Sequence, residues 1–332
     1  MKAIQMLAPG GPEQLQYVEL AEPELEDPRQ VKVRLKAAGV NPVDAKLRSR
    51  GLLYPEALPA ILGCDGSGVV VETGEAVTRL RVGDEVWFCN GGLGGAPGNY
   101  AQYCLLDEAV ARLKPASLSF QQAAAAPLVL ITAWEALYDR AGLQEGQTVL
   151  VQGGAGGVGH VAVQLARLRG ARVCATVGSE AGARFVKILG AERVVRHDQE
   201  DFVAAVQDWT TGRGVDVVLD IMGGAVFQRS LAAMAHYGTL VTLLEPGPDV
   251  DWKEARNRNL RIGFELMLTP LLGSLPDARA HQGEILDQCG RWCDEGRLHI
   301  EVAQEFPLRE AAAAHRAIET GHTHGKLVLV MN

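Results

Sequence analysis

Three glycines in this 332-residue chain have a spacing that could do chemistry. Gly154, Gly156 and Gly159 form a GxGxxG, with Gly157 and Val158 inside it. A turn without side chains lets the backbone approach a ligand. If a helix follows, free N–H groups and the positive end of its dipole face a negative group, and a pyrophosphate suits such a cradle. Nothing comparable points to nucleophilic catalysis, since the chain shows no nucleophile elbow and no Ser/His/Asp constellation. Six cysteines (Cys64, Cys89, Cys104, Cys174, Cys289, Cys293) are scattered without CxxC pairs. That pattern suits reduced, buried thiols better than a disulfide framework or a zinc knot. Cys289 and Cys293, four apart on an expected helix, read as a core-facing pair, and His322 and His324 as solvated turn residues.

The elements on either side of the glycines decide their meaning. Residues 149–152 are a short apolar run suited to a buried parallel strand. Val161, Val163, Leu165, Ala166 and Leu168 continue with helical spacing until Gly170, and Arg172–Val177 is a second apolar run. Strand, glycine turn, helix and strand within about 30 residues is the context that a dinucleotide site requires. Downstream, helices ending at Gly190, starting near Asp201 and running through Leu231 alternate with strands at Arg193–Arg196, Val215–Asp220, 238–244 and 259–264. The pattern predicts a doubly wound α/β domain: an open parallel sheet with helices on both faces.

The flanking segments read differently. Over residues 1–120, strands are expected at Lys2–Met6, 16–19, Gln30–Val40, 67–73, 85–88 and 100–106, separated by Gly and Pro turns, which points to a β-sandwich or barrel. A helix over 121–141 leads into the nucleotide unit. After Thr269 come a loop with Pro270 and Pro276, a helix over 277–297, a strand over 298–302, a helix from Arg309 and a strand over 326–331. These read as the chain returning to finish the first domain. The expected boundaries are 1–123, 124–268 and 269–332, with substrate in the cleft by the carboxyl ends of the parallel strands.

The net charge of -8 argues against nucleic acid or an anionic membrane as partner. The longest apolar run, 123–134, is interrupted by Pro127 and falls short of a membrane span. The opening MKAIQ lacks the basic-then-apolar pattern of a signal peptide, so a cytoplasmic protein is expected.

The segments AAGVNPVDAKLRSRG (37–51), PAILGCDGSGVVVETG (59–74), GDEVW (83–87), GNYAQY (98–103), AGGVG (155–159) and GHTHGKLVL (321–329) together resemble the medium-chain dehydrogenase/reductase superfamily, in its zinc-free, zeta-crystallin-like quinone oxidoreductase branch. The resemblance implies a GroES-like β-barrel domain built from both ends of the chain around a Rossmann domain, and a homodimer joined through the Rossmann edge. Zinc-dependent relatives place ligands at positions that here read Asn41, Cys64-Asp65 and Ala126-Pro127-Leu128, and the structural zinc lobe is absent, so no metal is expected.

The resemblance also implies a nicotinamide cofactor and a small-molecule quinone or carbonyl substrate. At the end of the second strand, where an acid would bind the ribose of NADH, the chain has Gly178-Ser179, which leaves space for a 2′-phosphate. Arg184, Lys187 and Arg196 add positive charge nearby. Gly182 and His197 replace two phosphate partners of NADPH-binding relatives, and Glu180 is a candidate ribose ligand. NADPH is expected ahead of NADH. Asn41 and Asp44 match the family's NPVD segment, and the Asn41 amide suits a developing oxyanion. Tyr54 matches a pocket-lining aromatic and Thr132 a threonine beside the nicotinamide. Leu244, Phe264 and Lys326 match cofactor contacts, with a surface position as the alternative for Lys326. The expected reaction is hydride transfer from NADPH to a quinone or enone. The alternatives are an alcohol or aldehyde dehydrogenase of the same superfamily, and a catalytically idle cofactor-binding protein.

Overall fold

The computed structural model describes residues 1–321 and 323–331, so the expectation for His322 lies outside the described residues. In chain order the first elements are β1 (Lys2–Met6), β2 (Leu15–Glu19), β3 (Gln30–Val40), α1 (Pro42–Arg50), β4 (Asp65–Thr73), β5 (Glu85–Cys89), β6 (Tyr103–Asp107), β7 (Arg112–Leu113), α2 (Phe120–Ala125) and α3 (Pro127–Trp134). Next come β8 (Thr148–Val151), α4 (Gly157–Leu168), β9 (Arg172–Val177), α5 (Glu180–Leu189), β10 (Arg193–Arg196), α6 (Phe202–Trp209), β11 (Val215–Asp220), α7 (Gly224–Ser230), β12 (Met234–Thr242), α8 (Lys253–Asn257) and β13 (Arg261–Phe264). Last are α9 (Thr269–Leu272), α10 (Pro276–Asp294), β14 (Val302–Pro307), α11 (Ala311–Glu319) and β15 (Lys326–Val330). They form two compact units, residues 129–268 and residues 1–128 with 269–332.

The 129–268 unit is a parallel sheet in the order β10-β9-β8-β11-β12-β13. Its strand order reverses between β8 and β11, and right-handed crossovers then put the helices before and after that point on opposite faces. The four residues of β8 are all buried, as a central parallel strand requires. Leu150, Val218 and Leu240 from three strands pack with Phe202, Val206, Phe227 and Leu231 into one core. This is the doubly wound arrangement that the alternation predicts.

In the other unit, a seven-stranded sheet runs β14-β15-β3-β4-β5-β7, with β6 also on β3. Residues early and late in the chain therefore share one sheet. Register shifts within the β3–β4 pairing mark where the ladder is irregular, and Val31, Val33, Leu35, Val70, Val86, Phe88 and Leu106 fill one core. The antiparallel register that sets Leu327 against Val40 brings Lys326 level with the start of α1.

Several local expectations differ from the structure. The helix over 121–141 is broken at Ala126 and Pro127, because proline has no N–H to give, and beyond Trp134 its backbone widens into a π-helical stretch over Glu135–Arg140. The strand expected over 298–302 instead pairs over Val302–Pro307; the alternating Leu298 and Ile300 are buried without pairing. The strand over 100–106 begins at Tyr103, since the Tyr100 carbonyl accepts from Ile4 N–H of β1 at 2.8 Å. The loop after Thr269 holds the short α9. Cys289 and Cys293 do face the core of their unit, and all six cysteines are buried and free. Among the described residues no helix is long and apolar enough to cross a membrane.

Candidate functional site

The glycine turn sits at the carboxyl end of β8, directly before α4. Gly153, which the motif reading left out, makes the turn with φ of 63°, in the left-handed region that favours glycine. A Cβ on Gly159 would be driven into the Gly153 carbonyl oxygen, so a side chain there displaces the turn itself. Gly154 N–H donates to the Thr176 carbonyl at 2.8 Å, and Gly153 N–H to Thr176 Oγ1 at 3.0 Å, which ties the turn to β9. Thr176 Oγ1 in turn donates to Gln152 Oε1 at 2.7 Å. Gly157, Val158 and Gly159 are the first turn of α4, where N–H groups have no acceptor within the helix. Such a terminus receives a negative ligand.

Most other candidate residues of this unit lie at or just beyond the carboxyl ends of the sheet strands. Gly178 and Ser179 follow β9, and Ser179 Oγ caps α5 by accepting from Gly182 N–H at 3.0 Å. His197 follows β10; its Nε2 lies 3.0 Å from where a Gly178 Cβ would stand, so the imidazole rests on that backbone. Arg184 is exposed on α5. Leu244 follows β12, its carbonyl accepting from Thr242 Oγ1 at 2.9 Å. Thr242 Oγ1 also lies 3.1 Å from Asp220 Oδ2, an alternative acceptor for its single proton, and the Asp220 carboxylate accepts from Gly223 N–H at 3.0 Å, so one buried acid reaches the loops after β11 and β12. Phe264 ends β13 with its ring exposed. Thr132 is buried within α3.

In the other unit, the NPVD segment is the start of a helix that the sequence reading did not contain. Asn41 is the N-cap of α1, Pro42 fills the first position, and Asp44 Oδ2 reaches back to accept from Asn41 N–H at 2.9 Å. The Asn41 side chain is spent elsewhere. Its Nδ2 donates to Asp65 Oδ2 at 2.9 Å, while its Oδ1 accepts from Lys326 Nζ. Lys326 also donates to the Val40 carbonyl at 3.1 Å and lies 4.0 Å from Asp65 Oδ2. With 4% exposure, Lys326 is no surface residue, and the surface alternative does not hold. Burial pushes the Asp65 carboxyl up and the Lys326 ammonium down, and each charge opposes that shift in the other.

A hydrogen-bonded chain runs from this cluster. Arg48 Nε donates to His315 Nδ1 at 3.3 Å, and because arginine only donates, the imidazole proton must sit on Nε2. That nitrogen lies 3.3 Å from the Tyr100 hydroxyl, which donates to Asp44 Oδ2 at 2.9 Å. Every bond therefore points toward Asp44. Burial pushes the Asp44 carboxyl up to about 7 and the His315 imidazole down to about 3. Asp44 Oδ1 is buried without a partner. Tyr54 lies apart from these groups, partly exposed, with its ring 3.8 Å from where a Gly95 Cβ would be.

Asp65, Tyr100, His315 and Arg48 were absent from the sequence-based site. Only the GCD segment offered a signal for Asp65; the others lie far apart in sequence and carry no spacing. The donor set also bears on zinc. Asp65 is already engaged by Asn41, the Lys326 charge and the Leu128 N–H at 2.8 Å, and burial pushes the Cys64 thiol up, away from the thiolate that a metal takes. Among the described residues no three His, Cys, Asp or Glu groups gather as ligands. The residues present do not fit a catalytic metal.

Two family models match, an alcohol dehydrogenase GroES-like domain over residues 27–116 and a zinc-binding dehydrogenase over residues 189–329. A quinone oxidoreductase of Pseudomonas aeruginosa is 34% identical, with 99% of each chain covered. Among solved structures, an alcohol dehydrogenase superfamily protein from Novosphingobium aromaticivorans matches with a TM-score of 0.92 and 36% identity over the whole of both chains. Escherichia coli quinone oxidoreductase, crystallised as a complex with NADPH, matches with a TM-score of 0.89 and 29% identity, covering 99% of this chain and 100% of that one. Two domains in the order the motifs require, full-length similarity and a site without a metal ligand set converge: the chain belongs to the medium-chain dehydrogenase/reductase superfamily, in its quinone oxidoreductase branch.

Proposed function

We propose that this protein is a zinc-independent reductase that takes a hydride from NADPH and delivers it to a quinone or an α,β-unsaturated carbonyl compound. The observation that carries this reading is the glycine turn, where Gly159 packs on Gly153 so tightly that only hydrogen fits, ahead of a helix whose first N–H groups are unspent. The residues fit the cofactor. Gly154 to Gly159 would hold its pyrophosphate, Gly178 to Arg184 with His197 its adenosine end, and Leu244 and Phe264 would line its passage along the strand ends. NADPH, when bound, supplies the hydride.

The chain's own part is to orient and to stabilise charge. Asn41 uses one N–H of its amide on Asp65, and its second N–H would serve an acceptor oxygen as negative charge develops, once substrate binding uncovers the side chain, which is fully buried here. Lys326 and Asp65 keep that amide from turning over, since one binds its oxygen and the other its nitrogen. Such a site stabilises an oxyanion without a Lewis acid. That favours quinones and enones over alcohols, which must lose a proton first. We further read Tyr54 and Thr132 as pocket residues, and the exposed edge of β13 as the place where two copies pair into a homodimer.

Steady-state assays with quinones, enones, aldehydes and alcohols test the reading, with deuterium on the reduced nicotinamide followed into the product. Deuterium on the β-carbon of a reduced enone is the expected result. Turnover of alcohols alone, with quinones and enones inert, overturns it in favour of the dehydrogenase alternative.

A further inference from the structure

The carboxyl end of β9 carries both kinds of residue that a cofactor's ribose can meet, and they are bound to each other. Glu180, the first residue of α5, lies 3.5 Å from the Arg184 guanidinium, one turn on. It also meets Arg196, at the end of the neighbouring strand β10, at 3.1 Å. The parallel register that sets Arg196 against Val177 brings the two strand ends together. Asp198 holds the far side of the same guanidinium, at 2.7 Å from Nη2 and 3.3 Å from Nε. Arg196 is therefore kept in place whether or not Glu180 is attached.

An acid at this strand end binds ribose hydroxyls and repels a 2′-phosphate, whereas a nearby arginine accommodates the phosphate. Here the acid occupies the arginines. We propose that Glu180 sets the cofactor discrimination of this enzyme: it must leave Arg184 and Arg196 to admit NADPH, and it serves the ribose hydroxyls when NADH binds. The inference rests on the reading of this turn as a nicotinamide dinucleotide site. Release is easy, because the Glu180 and Arg184 side chains are 61% and 68% exposed and such ion pairs are weak. A departing carboxylate beside an incoming phosphate still costs NADPH affinity. The two cofactors then differ by less than a site of arginines alone would allow.

The test is fluorescence titration of the full chain with NADPH and NADH, for the unaltered protein, Glu180→Gln and Arg196→Gln, with 2′,5′-ADP as a competitor for the adenosine end. Glu180→Gln should bind NADPH about fivefold more tightly and NADH about twofold more weakly, and Arg196→Gln should lose about tenfold in NADPH affinity alone. If NADPH binds the unaltered protein but Glu180→Gln leaves the ratio of the two affinities unchanged, the inference falls while the dinucleotide reading stands. Equal weakening of both cofactors by Arg196→Gln also overturns it. Failure of either cofactor to bind the unaltered protein removes the reading and the inference together.

Discussion

The glycine turn after β8 and the polar cluster around Asn41 are built on opposite principles. The turn works through what is missing: one contiguous segment gives up side chains, and its backbone groups remain available to a ligand. The cluster gathers residues from β3, α1, β4, α11 and β15, together with Tyr100, and nearly all of their polar atoms are already spent on one another. One region is prepared to bind. The other is built to keep its shape, with the Asn41 amide held at both its oxygen and its nitrogen.

Lys326 is where a single substitution should do the most damage. Removing one member of a buried charge pair leaves the other uncompensated, so Lys326→Met should cost about 3–5 kcal/mol in urea unfolding. A loss below 1 kcal/mol would mean that the cluster is not a coupled unit. Gly159→Val attacks the turn instead. It should lower NADPH affinity about a hundredfold while costing only about 2 kcal/mol of stability, because the strain falls on a turn beyond the carboxyl end of β8 and not on the strand itself. Equal damage to folding and binding would erase the distinction between the two regions.

The cluster holds buried titratable groups whose protonation bears on stability. Asp44, with its carboxyl pushed up to about 7 by burial, contributes stability that is full below its unfolded value near 4 and is lost as pH rises through 7. His315, pushed down to about 3 by burial, contributes fully above its unfolded value near 6.5 and loses this as pH falls toward 3. Against the unaltered protein, Asp44→Asn should therefore recover stability as pH rises from about 4 to 7, by up to about 1.4 kcal/mol per pH unit. His315→Gln should recover it as pH falls below about 6.5. Unfolding curves that stay parallel across this range would deny both groups their role. The smallest effect belongs to Ser179→Ala, which removes the cap of α5 and should cost about 1 kcal/mol in thermal unfolding.

The same contrast explains what the sequence could disclose. The turn, its flanking strands and the alternation up to β13 are local, so glycine spacing and apolar periodicity expose them. Asn41, Asp44 and Lys326 were reached only through family resemblance. The Lys326 and His315 contacts depend on pairing between residues nearly three hundred positions apart, and those of Asp65 and Tyr100 on contacts 24 and 56 residues apart. No spacing rule records that. Helix α1 escaped because Asn-Pro reads as a turn, although Asn at the cap, Pro at the first position and Asp at the third are also a helix start. The shifted β14 shows the converse, since Leu298 and Ile300 alternate as a strand would and yet record only burial.

Hydride transfer from bound NADPH is best tested in a single turnover. The protein loaded with one equivalent of NADPH is mixed rapidly with excess quinone or enone, and the reduced nicotinamide absorbance is followed. The expected result is its complete loss in one exponential phase, slowed by Asn41→Ala without loss of NADPH binding. Stable absorbance with bound NADPH across quinones, enones and aldehydes would contradict it and identify a protein that binds the cofactor and does no chemistry with it.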